Sequence, residues 1–137
     1  VIMGGQAPWL GEVQQLSQSL ALDVTVLVDV RDMASLMAQA DLAIGAAGAT
    51  AWERCCLGLP TLMAVLADNQ RLVAEGLSAA GAVQLLPAVN SLAASLPGLL
   101  EGLLADPEQL RRMSRRAAAL VDGGGARRVM ETMEMMS

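Results

Sequence analysis

The amino-acid sequence predicts an α/β fold, a doubly wound, Rossmann-like parallel sheet. Three observations carry that prediction. Short apolar runs alternate with stretches of helical periodicity from the first residue to about position 90. The runs at 24–28 and 61–66 are nearly continuous in apolar residues, which is how strands read when helices cover both faces of a sheet. Glycine and proline fall between the two kinds of segment, at Gly4-Gly5, Gly45, Gly58, Pro60 and Gly81, where an element has to stop.

The elements follow in order. Residues 1–3 read as a strand end closed by Gly4-Gly5. A helix over 10–22 places Leu10, Val13, Leu16 and Leu20 on one face. Residues 24–28 form the second strand. Asp32 caps a short helix to Ala40 that carries Met33, Leu36 and Met37 inward. Residues 41–44 form the third strand and run into Gly45-Ala46-Ala47-Gly48-Ala49-Thr50. A helix over 50–57 stops at Gly58 and Pro60. Residues 61–66 are the fourth strand, Asp68 caps a helix to about Ala80, and Gly81 ends it before a fifth strand at 82–86. Beyond that the pattern is only helical. One helix covers 91–105. The next opens on Asp106-Pro107-Glu108, where Asp caps and Pro fits the first helical position, and runs to Val121. After Gly123-Gly124-Gly125 an amphipathic helix runs from Ala126 to about Met135, with its methionines as one apolar stripe. Five strands alternating with helices predict one parallel sheet, and the length suits one domain over 1–137.

Composition removes whole classes of function. Of the 137 residues 54% are hydrophobic and 1% aromatic, supplied by Trp9 and Trp52. There is no His, so no Ser-His-Asp triad and no His-ligated metal. The adjacent Cys55 and Cys56 cannot make a zinc site or close a disulfide loop, which suits a reducing cytoplasm; each reads as a small buried hydrophobe. Trp52 reads as a packing residue. The net charge is −5, and all nine basic residues are Arg, six of them between Arg111 and Arg128. No aromatic residue is interleaved with that cluster for base stacking, so it reads as a solvated helix face and not as a nucleic-acid surface. The longest uncharged stretch, 76–100, is interrupted by Pro87, Asn90 and Pro97, so no membrane span is expected. The sequence opens at Val1 inside what reads as a strand, and the expectation is a domain trimmed at its N-terminal edge.

In a doubly wound sheet ligands bind beyond the carboxyl ends of the strands. The loop from Gly45 to Thr50 is one such end. Its small residues would let a ligand approach the backbone, and the helix start beyond it offers free N–H groups to a phosphate. The same small residues would equally permit close helix–sheet packing. Glu53 has two readings. As a capping box, Thr50 and Glu53 exchange bonds across the first turn. As a site, the Glu53 carboxylate accepts two ribose hydroxyls. Asp68-Asn69-Gln70 follows the fourth strand, with Asp68 as a cap and the two amides free to bond sugar hydroxyls.

The stretch from Ala40 to Leu62, with Trp52-Glu53-Arg54-Cys55-Cys56-Leu57-Gly58-Leu59-Pro60 at its centre and Leu66-Ala67-Asp68-Asn69-Gln70 beyond it, resembles the PseG family. Those proteins are UDP-2,4-diacetamido-2,4,6-trideoxy-β-L-altropyranose hydrolases of pseudaminic acid synthesis, also described as flagellin-modification or spore-coat polysaccharide proteins. Val30-Arg31-Asp32-Met33 and the segment from Asp122 to Val129 resemble the same family. PseG is in turn similar to MurG, the N-acetylglucosamine transferase of peptidoglycan synthesis, and both have the two-domain GT-B fold.

The resemblance covers the C-terminal, nucleotide-binding half alone, and it implies the following. The backbone around Val30 contacts uracil. Gly48, Ala49 and Thr50 hold the diphosphate, Glu53 takes the ribose hydroxyls, and Asn69 and Gln70 face the phosphates and the sugar. The ligand is a UDP-sugar, and neither a metal nor a cofactor is needed. The partner is the N-terminal domain of the same protein, which carries the catalytic His, so this chain holds no catalytic residue and is inactive alone. The expected function is the UDP-binding half of a hydrolase that releases UDP by water attack at the anomeric carbon. The alternatives are the corresponding half of a MurG-like transferase and a non-enzymatic interaction module. Residues 3–8 resemble the second strand–loop unit of the domain, so Gly4 and Gly5 are not assigned to the glycine loop of the first. An exposed strand edge would permit a homodimer.

Overall fold

A computed structural model describes residues 1–136. The elements alternate as expected: β1 (Ile2–Met3), α1 (Leu10–Ser19), β2 (Leu27–Val28), α2 (Met33–Gln39), β3 (Ala43–Ala46), α3 (Thr50–Cys56), β4 (Thr61–Ala64), α4 (Asp68–Ala79), β5 (Val83–Leu85), α5 (Val89–Ala105), α6 (Pro107–Leu120) and α7 (Gly125–Met135). All strand pairs are parallel, as helical crossovers between successive strands require. The fold is therefore the α/β fold expected. The strands form two ladders and not the single sheet expected: β1 pairs β2, and β3-β4-β5 form a separate three-stranded sheet. The chain correspondingly divides into two compact units, residues 1–35 and the residues after them.

In the first unit the ladder is two residues long, with Ile2 opposite Leu27 and Met3 opposite Val28. The second strand was expected over 24–28; its ladder is confined to Leu27–Val28, opposite Ile2 and Met3, with the Val1 ammonium bonding the Thr25 carbonyl at 2.7 Å just before it. Just after β2, Asp29 takes a positive φ of 49°, which Asp tolerates better than most residues. Its Oδ1 accepts the Gly5 N–H at 2.7 Å. A side chain on Gly5 would collide with that carboxylate. Gly5 thus seats Asp29, a role that sequence reading missed. Asp32 accepts the Ser35 N–H at 3.1 Å and caps α2 as expected.

In the second unit β4 lies at the centre of its sheet, paired with β3 from Ala43↔Thr61 to Ala46↔Ala64 and with β5 from Thr61↔Val83 to Met63↔Leu85. Successive strand residues point to opposite faces. Met63 packs with Ala51 and Cys55 of α3 and with Ala74 and Leu77 of α4. Leu62 packs on the other face with Leu103 of α5 and Met113 of α6. Both Leu62 and Met63 are fully buried, so this strand is covered on both sides, as its continuous apolar run requires. Gly58 and Gly81 end α3 and α4 with φ of +64° and +71°. A side chain on Gly58 would meet the Ser114 carbonyl oxygen at 3.2 Å, so the glycine also lets α6 approach. Asp106 caps α6 by accepting the Gln109 N–H at 3.0 Å, with Pro107 at the first turn. Helix α5 carries Pro97 inside it. Among the described residues no helix is long and apolar enough to cross a membrane.

Candidate functional site

Strands β3 and β4 are parallel neighbours, so the chain leaves both at the same edge of the sheet. The Ala47 N–H still bonds the Ala64 carbonyl at 3.0 Å where the two strands part. From there β3 passes through residues 47–49 into α3, and β4 passes through residues 65–67 into α4. The structure thereby puts Gly48, Ala49, Thr50 and Glu53 on one strand–helix junction and Asn69 and Gln70 on the adjacent one. Val30 is half-buried in the first unit, just beyond β2.

The capping box expected at Thr50 and Glu53 does not form. Ala49 stands at the cap position with helical dihedrals, and no side chain caps the helix. The helix starts early enough that Thr50 is already inside it. The Thr50 hydroxyl accepts a bond from Arg54, one turn on. Glu53 is exposed, and its carboxylate has no hydrogen bond or ion pair among the described residues; its carbonyl accepts the Leu57 N–H at 3.2 Å within the helix end. Ala49 and Thr50 are exposed as well. A side chain built on Gly48 would meet nothing within 4 Å. The outer surface of this junction is therefore open backbone with an unengaged carboxylate one turn along.

The second junction also departs from expectation. Ala67, in extended conformation, occupies the cap position of α4, and Asp68 is the first helical residue with no capping bond. Its fully exposed carboxylate instead lies 3.5 Å from Arg71. Gln70 turns back to accept the Leu66 N–H on its Oε1 at 3.0 Å, which fixes the loop and leaves its amide N–H₂ to donate. Asn69 is exposed.

Beneath the first junction lies a residue that sequence reading passed over. Arg54 is 7% exposed, and its Nη2 donates to the Ala46 carbonyl at 2.7 Å. Its Nη1 reaches the Thr50 hydroxyl at 3.3 Å. Burial lowers the guanidinium's pKa below its ordinary value, opposed by the nearby Cys55 and Glu53. A signal was present: Arg54 follows Ala51 by three residues and precedes Cys55, which puts it on the buried face of α3.

Cys55 is buried as expected, and burial pushes its thiol pKa up, against the pull of Arg54. Cys56 is exposed, a correction to the expectation that both are core residues; it sits on the other side of α3 and faces Gly123. Trp52 is 45% exposed and only partly a packing residue, lining an apolar groove with Leu72, Val73 and Leu120. The arginine cluster is largely self-paired. Glu108 holds Arg111 and Arg115, Asp106 holds Arg112, and Asp122 holds Arg128, as a solvated helix face would. Among the described residues no group of three His, Cys, Asp or Glu side chains could hold a metal ion.

Comparison with known proteins matches residues 1–132 to the model of the Glycosyltransferase family 28 C-terminal domain. The chain is 36% identical over 131 residues to the UDP-N-acetylglucosamine--N-acetylmuramyl-(pentapeptide) pyrophosphoryl-undecaprenol N-acetylglucosamine transferase of Chromobacterium violaceum, covering 92% of this chain and 36% of that protein. Proteins of the same name from Pseudomonas paraeruginosa and Hahella chejuensis are 36% and 34% identical, over 83% and 86% of this chain and 33% and 34% of theirs. The chain thus spans about a third of the length of these relatives.

Proposed function

This chain belongs to the glycosyltransferase family 28 C-terminal domain family, and we propose that it is the UDP-sugar-binding half of a transferase that uses UDP-N-acetylglucosamine as donor. Residues 1–137 act in this reading as one nucleotide-binding domain of a cytoplasmic enzyme, and a second domain brings the acceptor and the catalytic groups. The hydrolase expected from the Ala40-to-Gln70 resemblance gives way here to its transferase alternative, because the relatives reported above are named as transferases.

The observation that supports the reading is the junction between β3 and α3, with free space beside the half-buried Gly48 and the Glu53 carboxylate unbonded. Gly48, Ala49 and Thr50 would hold the diphosphate on backbone N–H groups. Glu53 would accept the ribose hydroxyls. Asn69 and Gln70 would face the phosphates and the sugar, and the backbone at Val30 would meet the uracil. In transfer the bond from the anomeric carbon to the UDP oxygen breaks, the electron pair leaves with UDP, and the acceptor hydroxyl oxygen bonds that carbon as its proton passes to a base of the second domain. Fixed donors on the diphosphate stabilise this leaving group as charge builds on it. No residue of this chain takes a catalytic role in that scheme, and no metal or cofactor enters it.

Titrating the ¹⁵N-labelled protein with UDP tests the site. The amides of Val30, of residues 48–53 and of Gln70 should shift; shifts confined to other regions at millimolar UDP would sink the assignment. Glu53→Ala should weaken UDP binding without lowering stability, since Glu53 caps nothing. A second reading, the hydrolase, is favoured by the Trp52-to-Cys56 stretch. Release of UDP and free sugar from a UDP-sugar by the full-length protein, with no acceptor present, would support that reading over transfer.

A further inference from the structure

We propose that Arg54 is a positioning residue, which clamps the Gly45-to-Thr50 segment from inside the fold and supplies the buried counter-charge for an anion held on its outer side. This rests on the reading of that segment as the diphosphate site. Arg54 is 7% exposed as a residue. Its two bonded partners, the Ala46 carbonyl and the Thr50 hydroxyl, are both neutral. Its Nε has no partner among the described residues. No carboxylate among them lies within ion-pair distance of it. Buried arginines are ordinarily paired with an acid, because an uncompensated charge in a low-dielectric interior is costly. Here no acid bonds the guanidinium; the nearest carboxylate acting on it is the exposed Glu53 one residue away, and the guanidinium grips both ends of a segment with room beside Gly48.

The two bonds also explain the shape of that segment. Ala46 ends β3 and Thr50 begins α3, so one planar fork ties both ends of the connection together. The two glycines divide the work. A side chain on Gly45 would stand 2.7 Å from Nη1 and 3.2 Å from Cζ of Arg54, so Gly45 is the seat of the guanidinium. Nothing lies within 4 Å of the same position on Gly48, so there is open space beside Gly48. The small residues of the segment therefore serve packing at one glycine and access at the other.

Three variants test this with ligand titration and amide exchange. Arg54→Met removes clamp and charge, Arg54→Lys keeps charge but cannot fork, and Gly45→Ala keeps every charge while displacing the guanidinium. Arg54→Met should weaken UDP by about tenfold or more, on the scale of a hydrogen bond to a charged group, and leave uridine affinity within about twofold. Without ligand, the amides of residues 46–50 should exchange faster in Arg54→Met and Gly45→Ala than in the wild type. Arg54→Lys should recover part of the UDP affinity and none of the exchange protection.

Unchanged UDP affinity in a natively folded Arg54→Met protein overturns the proposal. So does an equal loss for UDP and uridine, which would make Arg54 a purely structural residue. If Arg54→Met does not fold, Gly45→Ala carries the same comparison. If the wild type itself shows no UDP-induced shift at 46–50, the diphosphate reading fails and the counter-charge fails with it. Unchanged exchange in both variants then overturns the clamp as well.

Discussion

Residues 1–35 and the residues after them both run strand, helix, strand, yet among the described residues every buried side chain lies in the second set. In the first, Trp9, Leu16 and Leu22 are more than half exposed, and the ladder is two residues long. In the second, β4 is paired on both edges and covered on both faces, and Leu62 and Met63 have no exposure at all. The same apolar periodicity therefore has different energetic weight in the two units. Burial contributes only where a second layer closes over the residue.

The largest expected effect that sharpens this contrast is Leu62→Ala. It should cost ~2–5 kcal/mol in denaturant unfolding, because it empties a closed core site. A loss below about 1 kcal/mol would mean the core collapses onto the gap. Gly58→Ala comes next, at about 1–2 kcal/mol, since alanine must adopt the left-handed region there and its Cβ would press on the Ser114 carbonyl. Asp106→Ala should cost about 1 kcal/mol through the lost α6 cap. In the first unit, Leu16→Ala should stay within about 0.5 kcal/mol of the parent. A cost as large as that of Leu62 would break the comparison.

The smallest effect is electrostatic. Asp122 accepts bonds from Arg128 and from the Gly124 N–H, which lower its pKa from 3.8 to about 2. A lowered folded-state pKa stabilises above the unfolded value of 3.8, and that contribution disappears as pH falls through about 2. The pair is exposed, so solvent and salt screen it strongly. The carboxyl carbon of Asp122 should titrate near the lowered value, and Arg128→Ala should move its midpoint back toward the ordinary one.

Much of this was legible in the residues. Asp106-Pro107-Glu108 announced α6, Gly58 and Gly81 announced the ends of α3 and α4, and the run at 61–66 announced a strand buried on both faces. Caps at Thr50 and Asp68 were misplaced for one reason. Each helix starts at that residue, so the preceding alanine takes the cap position. A cap depends on a one-residue boundary that apolar periodicity does not resolve. The candidate site was legible as a loop beyond a strand end, but the support beneath it was not, because an arginine on a helix ordinarily faces water.

The sequence by itself determined the α/β order, the parallel pairing and the small-residue segment at 45–50, because these follow from local periodicity and chain connectivity. Only the tertiary structure decided that the strands form two ladders, that Glu53 is left unengaged and that Arg54 is buried with its charge unpaired. Those outcomes depend on which surfaces meet across the fold: spacing can mark the buried face of α3, but whether an arginine on it finds an acid is decided only by what packs against it.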